Sequence, residues 1–338
     1  MRYPAPLRPG DAIGVCAPSS GVRPGQHRRL DRARENVRAL GYRVLESPSL
    51  RQNEKCVSAD AETRAAQFTA LWEAPSVRAI LPPWGGEFLM DMLPCLDWER
   101  LGALSPKWLC GYSDITTLSF AMTTTLDIAT VHGSNFMNMG FARIDPADLR
   151  AFDAMSLDTL TQESAPFYGR FREGKDSRKD DAYRLDKPSR WEALDGGGSA
   201  AMEGRVIGGC LDVLCKLIGT PYAPVADFCE RYRRDGWIWA IESCEMNAGD
   251  IYRTLWQMRE CGWLRRCSGV LFGRPDGYSD TQDFTLADAL RQGLGPLGVP
   301  VLYGCDIGHI PPQMQLINGA YAAIRLDAGK AIVKQEQR

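Results

Sequence analysis

Short apolar segments alternate with segments of helical periodicity along this chain, and this alternation limits the possible folds more than any other feature. In the first half, the apolar segments lie near residues 11–18, 42–45, 77–81 and 108–110. In the second half, they lie near residues 237–241, 270–273 and 299–303. Strands that alternate with helices are typical of parallel sheets covered by helices. We therefore predict an α/β fold, whose ligands would bind beyond the carboxyl ends of the strands.

The length and charge of the chain exclude several classes of protein. Its 338 residues, 44% of them hydrophobic, can bury a sizeable core and predict two domains. The net charge is −2, so no basic face indicates a nucleic-acid partner. No apolar run approaches about 18 residues, and residues 1–6 lack an apolar signal region, so we expect a cytoplasmic protein without a membrane contact.

The cysteines and histidines indicate neither a disulfide framework nor a metal site. The 11 cysteines form no Cys-x-x-Cys pair, and the chain has only three histidines. We expect most of the cysteines to be small buried apolar residues. The loop Ser19-Ser20-Gly21 after the first strand lacks the Gly-x-Gly-x-x-Gly pattern of dinucleotide sites. We therefore expect no metal and no cofactor.

A charged segment near the middle of the chain marks the expected domain junction. Charges of both signs are frequent between residues 170 and 190, and residues 196–199 read Gly-Gly-Gly-Ser. Such composition is typical of an exposed linker or a flexible loop. We predict an N-terminal α/β domain over residues 1–168, an inter-domain linker over residues 169–200 and a C-terminal domain over residues 201–338.

Residues 106–117 predict a strand, a sharp turn and a helix, with Ser113 on the turn. A serine there presents its hydroxyl beyond the strand end, and the N–H groups of the following helical turn face the same space. This arrangement combines a nucleophile with part of an oxyanion hole. The alternative is that Ser113 only caps the helix, because the pattern lacks the second glycine of Gly-x-Ser-x-Gly. The domain that carries Ser113 is the N-terminal one.

Gly85 and Gly86 follow the third predicted strand, so they can face the same crevice as Ser113. Glycines at such a point let backbone N–H groups approach a substrate oxygen. A plain turn is the alternative explanation for the pair.

A serine nucleophile needs a histidine as base and an acid that orients it. Of the three histidines, His27 lies in a basic helix, while His132 and His309 both follow apolar strands. His132 is closer to Ser113 along the chain, and His309 follows a glycine at the edge of the second domain. Either could serve, or have a structural role. Glu242 ends a very apolar strand, where an isolated carboxylate would be costly to bury, and Glu245 is its rival.

These motifs together resemble the serine LD-carboxypeptidase family, which includes the microcin C immunity proteins. The matching segments, in order along the chain, begin at Gly10-Asp11, Ala17-Pro18, Gly85-Gly86, Leu93-Pro94, Pro106-Lys107, Gly111-Tyr112-Ser113-Asp114, His132-Gly133, Gly208-Gly209, Gly219-Thr220-Pro221, Ile241-Glu242 and Gly308-His309. The resemblance implies a Ser113–Glu242–His309 triad and an oxyanion hole made by the N–H groups of Gly86 and Asp114. It also implies an N-terminal domain like the class I glutamine amidotransferases, a smaller α/β C-terminal domain and a homodimer.

The resemblance leaves two substrate classes in competition. The murein-recycling branch removes terminal D-alanine from cell-wall tetrapeptides, and the immunity branch cleaves the amide of aminoacyl or peptidyl adenylate-type compounds. Residues 84–88 read Trp-Gly-Gly-Glu-Phe and depart from the Arg-Gly-Gly-Tyr-Gly typical of murein enzymes.

Trp191 resembles the tryptophan with which the immunity branch stacks on the nucleobase, so we favour that branch and place Gly85 and Trp191 in substrate binding. The alternative for Trp191 is an anchor that packs the linker onto the domain. A small-molecule binding protein without catalysis is a further alternative for the whole chain.

Overall fold

Two larger sheets organise the structure, a computed structural model that describes residues 1–172 and 182–338. The elements of the N-terminal part are β1 (Ala12–Val15), α1 (His27–Ala39), β2 (Arg43–Glu46), α2 (Ala61–Glu73), β3 (Val77–Ile80), α3 (Trp98–Ala103), β4 (Trp108–Leu109), α4 (Thr116–Leu126), β5 (Thr130–His132) and α5 (Pro146–Ser156). The first sheet has the order β2-β1-β3-β4, and all its strands are parallel. The predicted α/β class is confirmed.

The second sheet is larger and mixed. The remaining elements are β6 (Thr159–Glu163), β7 (Phe167–Arg172), β8 (Ala182–Pro188), β9 (Glu192–Ala193), β10 (Ser199–Cys210), α6 (Leu211–Leu217), α7 (Val225–Arg231), β11 (Trp237–Glu242), α8 (Ala248–Glu260), β12 (Gly269–Gly273), α9 (Leu286–Leu294), β13 (Val301–Cys305), β14 (Leu316–Asn318), β15 (Tyr321–Asp327) and β16 (Lys330–Glu336). Eight strands pair in the order β6-β16-β15-β10-β11-β12-β13-β9. Strands β10 to β13 are parallel, and the flanking pairs are antiparallel.

Side chains at the helix termini explain where several helices begin. The Asp60 carboxylate accepts a hydrogen bond from the Thr63 N–H at the start of α2. The Asn247 side chain does the same for the Asp250 N–H at the start of α8. These caps satisfy amide groups that have no partner within the helix. None of the helices among the described residues is both long and apolar enough to cross a bilayer.

The predicted linker contains regular structure where it is described. Strands β7 and β8 pair with each other, and β9 pairs with β13 at the edge of the second sheet. Residues 173–181, on which part of the predicted flexible loop falls, lie outside the described residues. Strand β6 precedes the linker in sequence but pairs with β16. The division at residues 168 and 200 remains a prediction.

The two sheets share one apolar core and meet at the start of α4. Phe120 of α4 stacks on Trp239 of β11, with the ring centroids 6.1 Å apart. The Thr116 hydroxyl accepts a hydrogen bond of 3.1 Å from the Cys210 N–H. Gly209 packs on the same threonine so closely that a side chain at position 209 would collide with it. The helix that follows Ser113 is therefore in direct contact with the second sheet.

Candidate active site

Ser113 lies beyond β4 on a strained turn. It begins a 3₁₀ helix (Ser113–Ile115) that leads directly into α4. Its φ of 65° falls in the left-handed region, which costs a residue with a Cβ about 1–2 kcal/mol. Strain of this kind at a strand–helix turn is typical of a serine whose hydroxyl is presented to a ligand.

Gly85 leaves open the space beside Ser113. A Cβ on Gly85 would lie 2.6 Å from both the Cβ and the Oγ of Ser113, and 2.8 Å from the Asp114 N. Gly86 has a φ of 147°, and a side chain there would collide with the hydroxyls of Ser19 and Ser20. The backbone of this loop therefore lies against the serine turn, where no larger residue fits.

The carboxylate of Asp114 holds the same turn in place through hydrogen bonds. Its Oδ2 accepts hydrogen bonds from the Ser19 hydroxyl at 2.5 Å and from the Leu89 N–H at 3.0 Å. Its Oδ1 accepts a hydrogen bond from the Thr117 hydroxyl at 3.1 Å. Asp114 is buried, so its side chain holds the loops together, while its backbone nitrogen lies close to Gly85.

Glu242 and His309 form a buried hydrogen-bonded pair. Glu242 is the last residue of β11 and is fully buried, and its Oε2 lies 3.0 Å from the His309 Nδ1. A carboxylate only accepts hydrogen bonds, so Nδ1 carries the proton and donates. In the neutral imidazole, Nε2 is then the basic nitrogen.

The electrostatics of this pair favour an ionised acid beside a basic imidazole. Burial acts to raise the pKa of Glu242, but the charge and the hydrogen bond of His309 outweigh it and lower the pKa. Burial likewise acts to lower the pKa of His309, yet the Glu242 carboxylate raises it well above its ordinary value. This is the electrostatic arrangement of a general base held by an acid.

Two glycines make room for the pair. A Cβ on Gly308 would lie 2.6 Å from the Glu242 Oε2, and one on Gly273 would lie 2.8 Å from the Glu242 Cβ. Gly308 has a φ of 102°, a conformation that glycine adopts without strain. The glycine before His309 is thus required by the acid rather than by the histidine alone.

Three cavities converge on His309. The largest, about 900 Å³, and a second, about 480 Å³, both have Ser113 and His309 in their walls. The third, about 350 Å³, shares His309 with the other two and does not reach Ser113. Gly86 lines the two larger cavities, and Asp114 lines the largest. Ser113 therefore lies where two cavities meet. This position suits attack on a substrate bond whose two flanking groups occupy different cavities.

The cavities differ in chemistry. The largest carries charged side chains of both signs, namely Glu87, Asp114, Asp212, Lys216, Glu245, Asp250 and Arg253. The third is lined by four aromatic side chains, two arginines and one acid, namely Trp84, Tyr112, Phe141, Tyr183, Arg29, Arg170 and Asp276. Arg170 and Asp276 form an ion pair of 3.0 Å. No group of three His, Cys, Asp or Glu side chains among residues 1–172 and 182–338 could hold a metal ion.

The structure separates the three histidines. His309 lines the cavities, whereas His132 is buried and borders none of the three. The Nε2 of His27 lies 2.8 Å from the Val22 carbonyl oxygen, which indicates a structural role. Of the two candidate acids, Glu242 contacts His309, while the N–H of Glu245 donates to Asp212.

Trp191 does not fit the base-stacking role inferred from the sequence. It is fully buried, and its indole N–H donates to the Asp306 Oδ2 at 3.0 Å. Its ring packs in the core of the second sheet and borders none of the three cavities. An indole that fills a core has no face left on which a nucleobase could stack. The alternative, an anchor for the linker, agrees with this position.

A buried ion pair near His309 was not found from the sequence. Arg274 lies 2.6 Å from Asp306, and both are buried. The Asp306 carboxylate also accepts hydrogen bonds from the Ala165 N–H and the Ser189 hydroxyl. It therefore ties Ala165, before the predicted linker, and Ser189, within it, to the loop that carries His309. The only signal in the sequence was an acid three residues before that histidine.

Comparison with known proteins connects this geometry to one family. The chain matches the LD-carboxypeptidase N-terminal domain over residues 13–133 and the LD-carboxypeptidase C-terminal domain over residues 203–324.

Three curated relatives extend over almost the whole chain. A putative carboxypeptidase of Vibrio cholerae is 26% identical over 97% of this chain and 96% of its own length. The microcin C7 self-immunity protein MccF of Escherichia coli is 25% identical, with coverages of 96% and 93%. A probable murein peptide carboxypeptidase of Bacillus subtilis is 24% identical, with coverages of 98% and 94%.

Solved structures share the fold. MccF in complex with glutamyl sulfamoyl guanosine and MccF in complex with aspartyl sulfamoyl adenosine superpose with TM-scores of 0.84 and 0.82. Both are 23% identical to this chain, cover 99% of it and are themselves covered to 98%.

Proposed function

The chain belongs to the LD-carboxypeptidase family, and from this premise we propose that it hydrolyses an amide bond with Ser113 as nucleophile, His309 as base and Glu242 as orienting acid. One observation carries the proposal. The acid and the base are joined by a 3.0 Å hydrogen bond, and the base shares the walls of two cavities with a serine held at a positive φ.

The reaction follows the chemistry of serine acyl transfer. The Nε2 of His309 takes the Ser113 proton as the hydroxyl oxygen attacks the amide carbon. The N–H groups of Gly86 and Asp114 stabilise the negative charge that develops on the carbonyl oxygen. His309 then gives the proton to the leaving amine, which leaves an acyl-serine. A water molecule, deprotonated by the same histidine, releases the acid.

We favour an aminoacyl or peptidyl adenylate-type substrate, as in the immunity branch. The leaving amine receives its proton from His309, and we place its remaining atoms in the third cavity, which His309 also borders. That cavity contains Trp84 and Tyr183 together with Arg29 and Arg170. Aromatic faces stack on nucleobases with about 1–3 kcal/mol per base, and cations suit a phosphate-like linker. This support comes from residues other than Trp191.

A murein tetrapeptide is the second candidate. Its support is the charge in the largest cavity, where Lys216 and Arg253 could pair with the carboxylates of a cell-wall peptide. The relative in Bacillus subtilis bears a murein peptide name, at an identity close to that of MccF. A binding protein without catalysis remains the third candidate.

Two further expectations from the family resemblance stay predictions, namely a homodimeric assembly and the likeness of the N-terminal part to class I glutamine amidotransferases. The cytoplasmic location expected from the sequence also stays a prediction.

A paired cleavage assay tests the proposal. Aspartyl sulfamoyl adenosine and an L,D-linked murein tetrapeptide are each incubated with the wild type and with Ser113→Ala, and the products are identified by mass spectrometry. We expect cleavage of the adenylate by the wild type and no cleavage by the variant. Ser76→Ala is the matched control, because Ser76 is exposed at the opposite end of β3 from Gly85.

Each outcome decides one element of the proposal. Cleavage of the tetrapeptide alone would keep the triad and replace the substrate. Cleavage of neither substrate, together with no labelling of Ser113 by a fluorophosphonate, would favour the binding protein. Cleavage that survives Ser113→Ala would contradict the nucleophile itself.

A further inference from the structure

Three buried polar atoms next to the proposed triad have no hydrogen-bond partner among the described residues. They are the Glu242 Oε1 and both ring nitrogens of His132. The His132 Nε2 and the Glu242 Oε1 face each other at 3.9 Å. The two side chains are 2% and 0% exposed, so neither is in contact with bulk water.

Such a gap is unusual because buried polar atoms are nearly always hydrogen-bonded. At 3.9 Å, the acceptor and the possible donor lose their interactions with water without forming a hydrogen bond to each other. The Cys210 thiol also faces the Glu242 carboxylate and acts to lower its pKa. A shift of about 1 Å brings the His132 Nε2 and the Glu242 Oε1 within ordinary hydrogen-bond distance. The pair therefore has the geometry of a contact that closes with a small movement of either side chain.

The protonation state of His132 suits a donor rather than a base. Burial lowers its pKa to about 4, so the imidazole is neutral near neutral pH. A neutral imidazole carries one N–H, and only the Nε2 faces an acceptor. His132 cannot take the proton of Ser113, because it borders none of the cavities that contain the serine.

We propose that His132 is a positioning residue of the hydrolytic reaction, whose Nε2–H donates to the Glu242 Oε1 and holds the carboxylate between two imidazoles. The inference rests on the proposed triad and assigns to it a fourth member. His132 touches neither the substrate nor Ser113, and it acts through Glu242.

The topology explains why such a contact is useful. His132 is the last residue of β5, the strand that follows the helix after Ser113, and it pairs with Leu316 of β14. Glu242 ends β11 in the second sheet. The contact therefore ties the acid to the part of the chain that carries the nucleophile. Without it, the carboxylate can turn about its last side-chain torsion, which is broad, and loosen its bond to His309.

The rate at which a fluorophosphonate labels Ser113 tests this role without knowledge of the substrate. His132→Phe removes the donor at similar volume, and His132→Gln keeps an amide N–H within reach of the Oε1. We expect His132→Phe to be labelled about 10–100-fold more slowly, since a displacement of about 1 Å in a catalytic group has effects of this size. We expect His132→Gln to stay within about threefold of the wild type.

Two further readouts separate positioning from folding. The pH at which labelling reaches half its maximum should fall in His132→Phe, because a loosened Glu242 raises the pKa of His309 less. Adding His132→Phe to Glu242→Gln should slow labelling less than twofold further, because the acid through which His132 acts is already gone. His132→Asn, whose amide is too short to reach, replaces the Phe variant if that protein does not fold.

The outcomes are distinct. Equal labelling rates and pH midpoints for the wild type and a folded donor-free variant would overturn the role of His132 and leave the triad intact. A full additional loss in the double variant would also overturn it. A wild type that is not labelled would refute the triad, and this inference with it.

Discussion

Gly85 packs against Ser113 so closely that one additional carbon atom on the glycine would lie 2.6 Å from the serine Oγ. The position of the Ser113 hydroxyl therefore requires a residue without a side chain at position 85. We predict that Gly85→Ala lowers kcat/KM at least about 100-fold, because the methyl group displaces the hydroxyl and crowds the Asp114 N–H. Steady-state kinetics and labelling of Ser113 measure the effect.

Gly295→Ala is the matched control for this variant. Gly295 has a φ of −53°, and a Cβ there would meet no atom within 4 Å. It should keep wild-type activity. A Gly85→Ala variant as active as this control would mean that the loop moves aside freely, contrary to the packing described.

The backbone strain at Ser113 predicts that the residue required for activity lowers the stability of the fold. Ser113→Gly removes the hydroxyl but also relieves the positive φ of 65°, so we expect an inactive protein that is more stable by about 1 kcal/mol. In a chain of this size that is a rise of roughly 2 °C or less in the unfolding temperature, measurable by calorimetry. Ser113→Ala should be equally inactive without this gain, since alanine keeps the Cβ. Equal unfolding temperatures for the two variants would argue against strain at the turn.

The dependence of activity on pH should report the pairing of Glu242 with His309. His309 acts as a base only when neutral, so kcat/KM of the wild type should fall as the pH drops through its raised pKa. Tyr112 and Cys244 also face the ring, and Glu242 is its main charged neighbour. In Glu242→Gln that charge is lost while the burial remains, so the pKa of His309 falls relative to the wild type.

The acid limb of the profile should therefore move to lower pH, and its plateau should drop by about 10²–10⁴. A kcat/KM profile between about pH 5 and pH 9 measures both. Glu230→Gln, an exposed acid on α7, is the control and should reproduce the wild-type curve. An unmoved limb in Glu242→Gln would show that another group titrates.

Trp191 should matter for folding and not for substrate binding. Trp191→Ala removes a fully buried ring and the hydrogen bond to Asp306, at a cost of about 3–5 kcal/mol. Trp191→Phe keeps most of the volume and should cost less. We expect KM to stay within about twofold of the wild type in every variant that folds. Urea unfolding measures the stability of each variant, and steady-state kinetics measure its KM. A large rise of KM in a stable Trp191→Phe variant would support the base-stacking role after all.

The residues show why some of the site was predictable from sequence. Ser113 and Glu242 each lie at the carboxyl end of an apolar strand, so the local pattern made them candidates. The two strands belong to different sheets, and helix capping by Ser113 and the rival acid Glu245 stayed open on residue patterns alone. The choice between His132 and His309 stayed open on residue patterns alone, because both follow strands. It depends on which imidazole faces a cavity and which is enclosed, a property of packing between distant segments.

Trp191 illustrates the opposite situation. A tryptophan in a charged segment stands out in the sequence, but Asp306, which accepts the hydrogen bond from its indole, lies 115 residues away, and the core that buries the ring is built by other distant residues. The surrounding residues looked like an exposed linker because their charge predicts solvent contact. Strand β8 forms there by pairing with β7, which precedes it, and β9 forms by pairing with β13, more than 100 residues away; local composition does not encode the second of these pairings.

The hydrogen bond from the Cys210 N–H to the Thr116 hydroxyl has a consequence for protein engineering. It places the helix behind the nucleophile on the strand next to the one that ends in the acid, with Gly209 packed against the same threonine. A chimera that took its first 200 residues from one relative and the rest from another would have to match this junction to within the size of a methyl group. Because β5 and β6 pair with β14 and β16 across the same boundary, an unmatched junction would disturb the strand pairing as well as the catalytic residues.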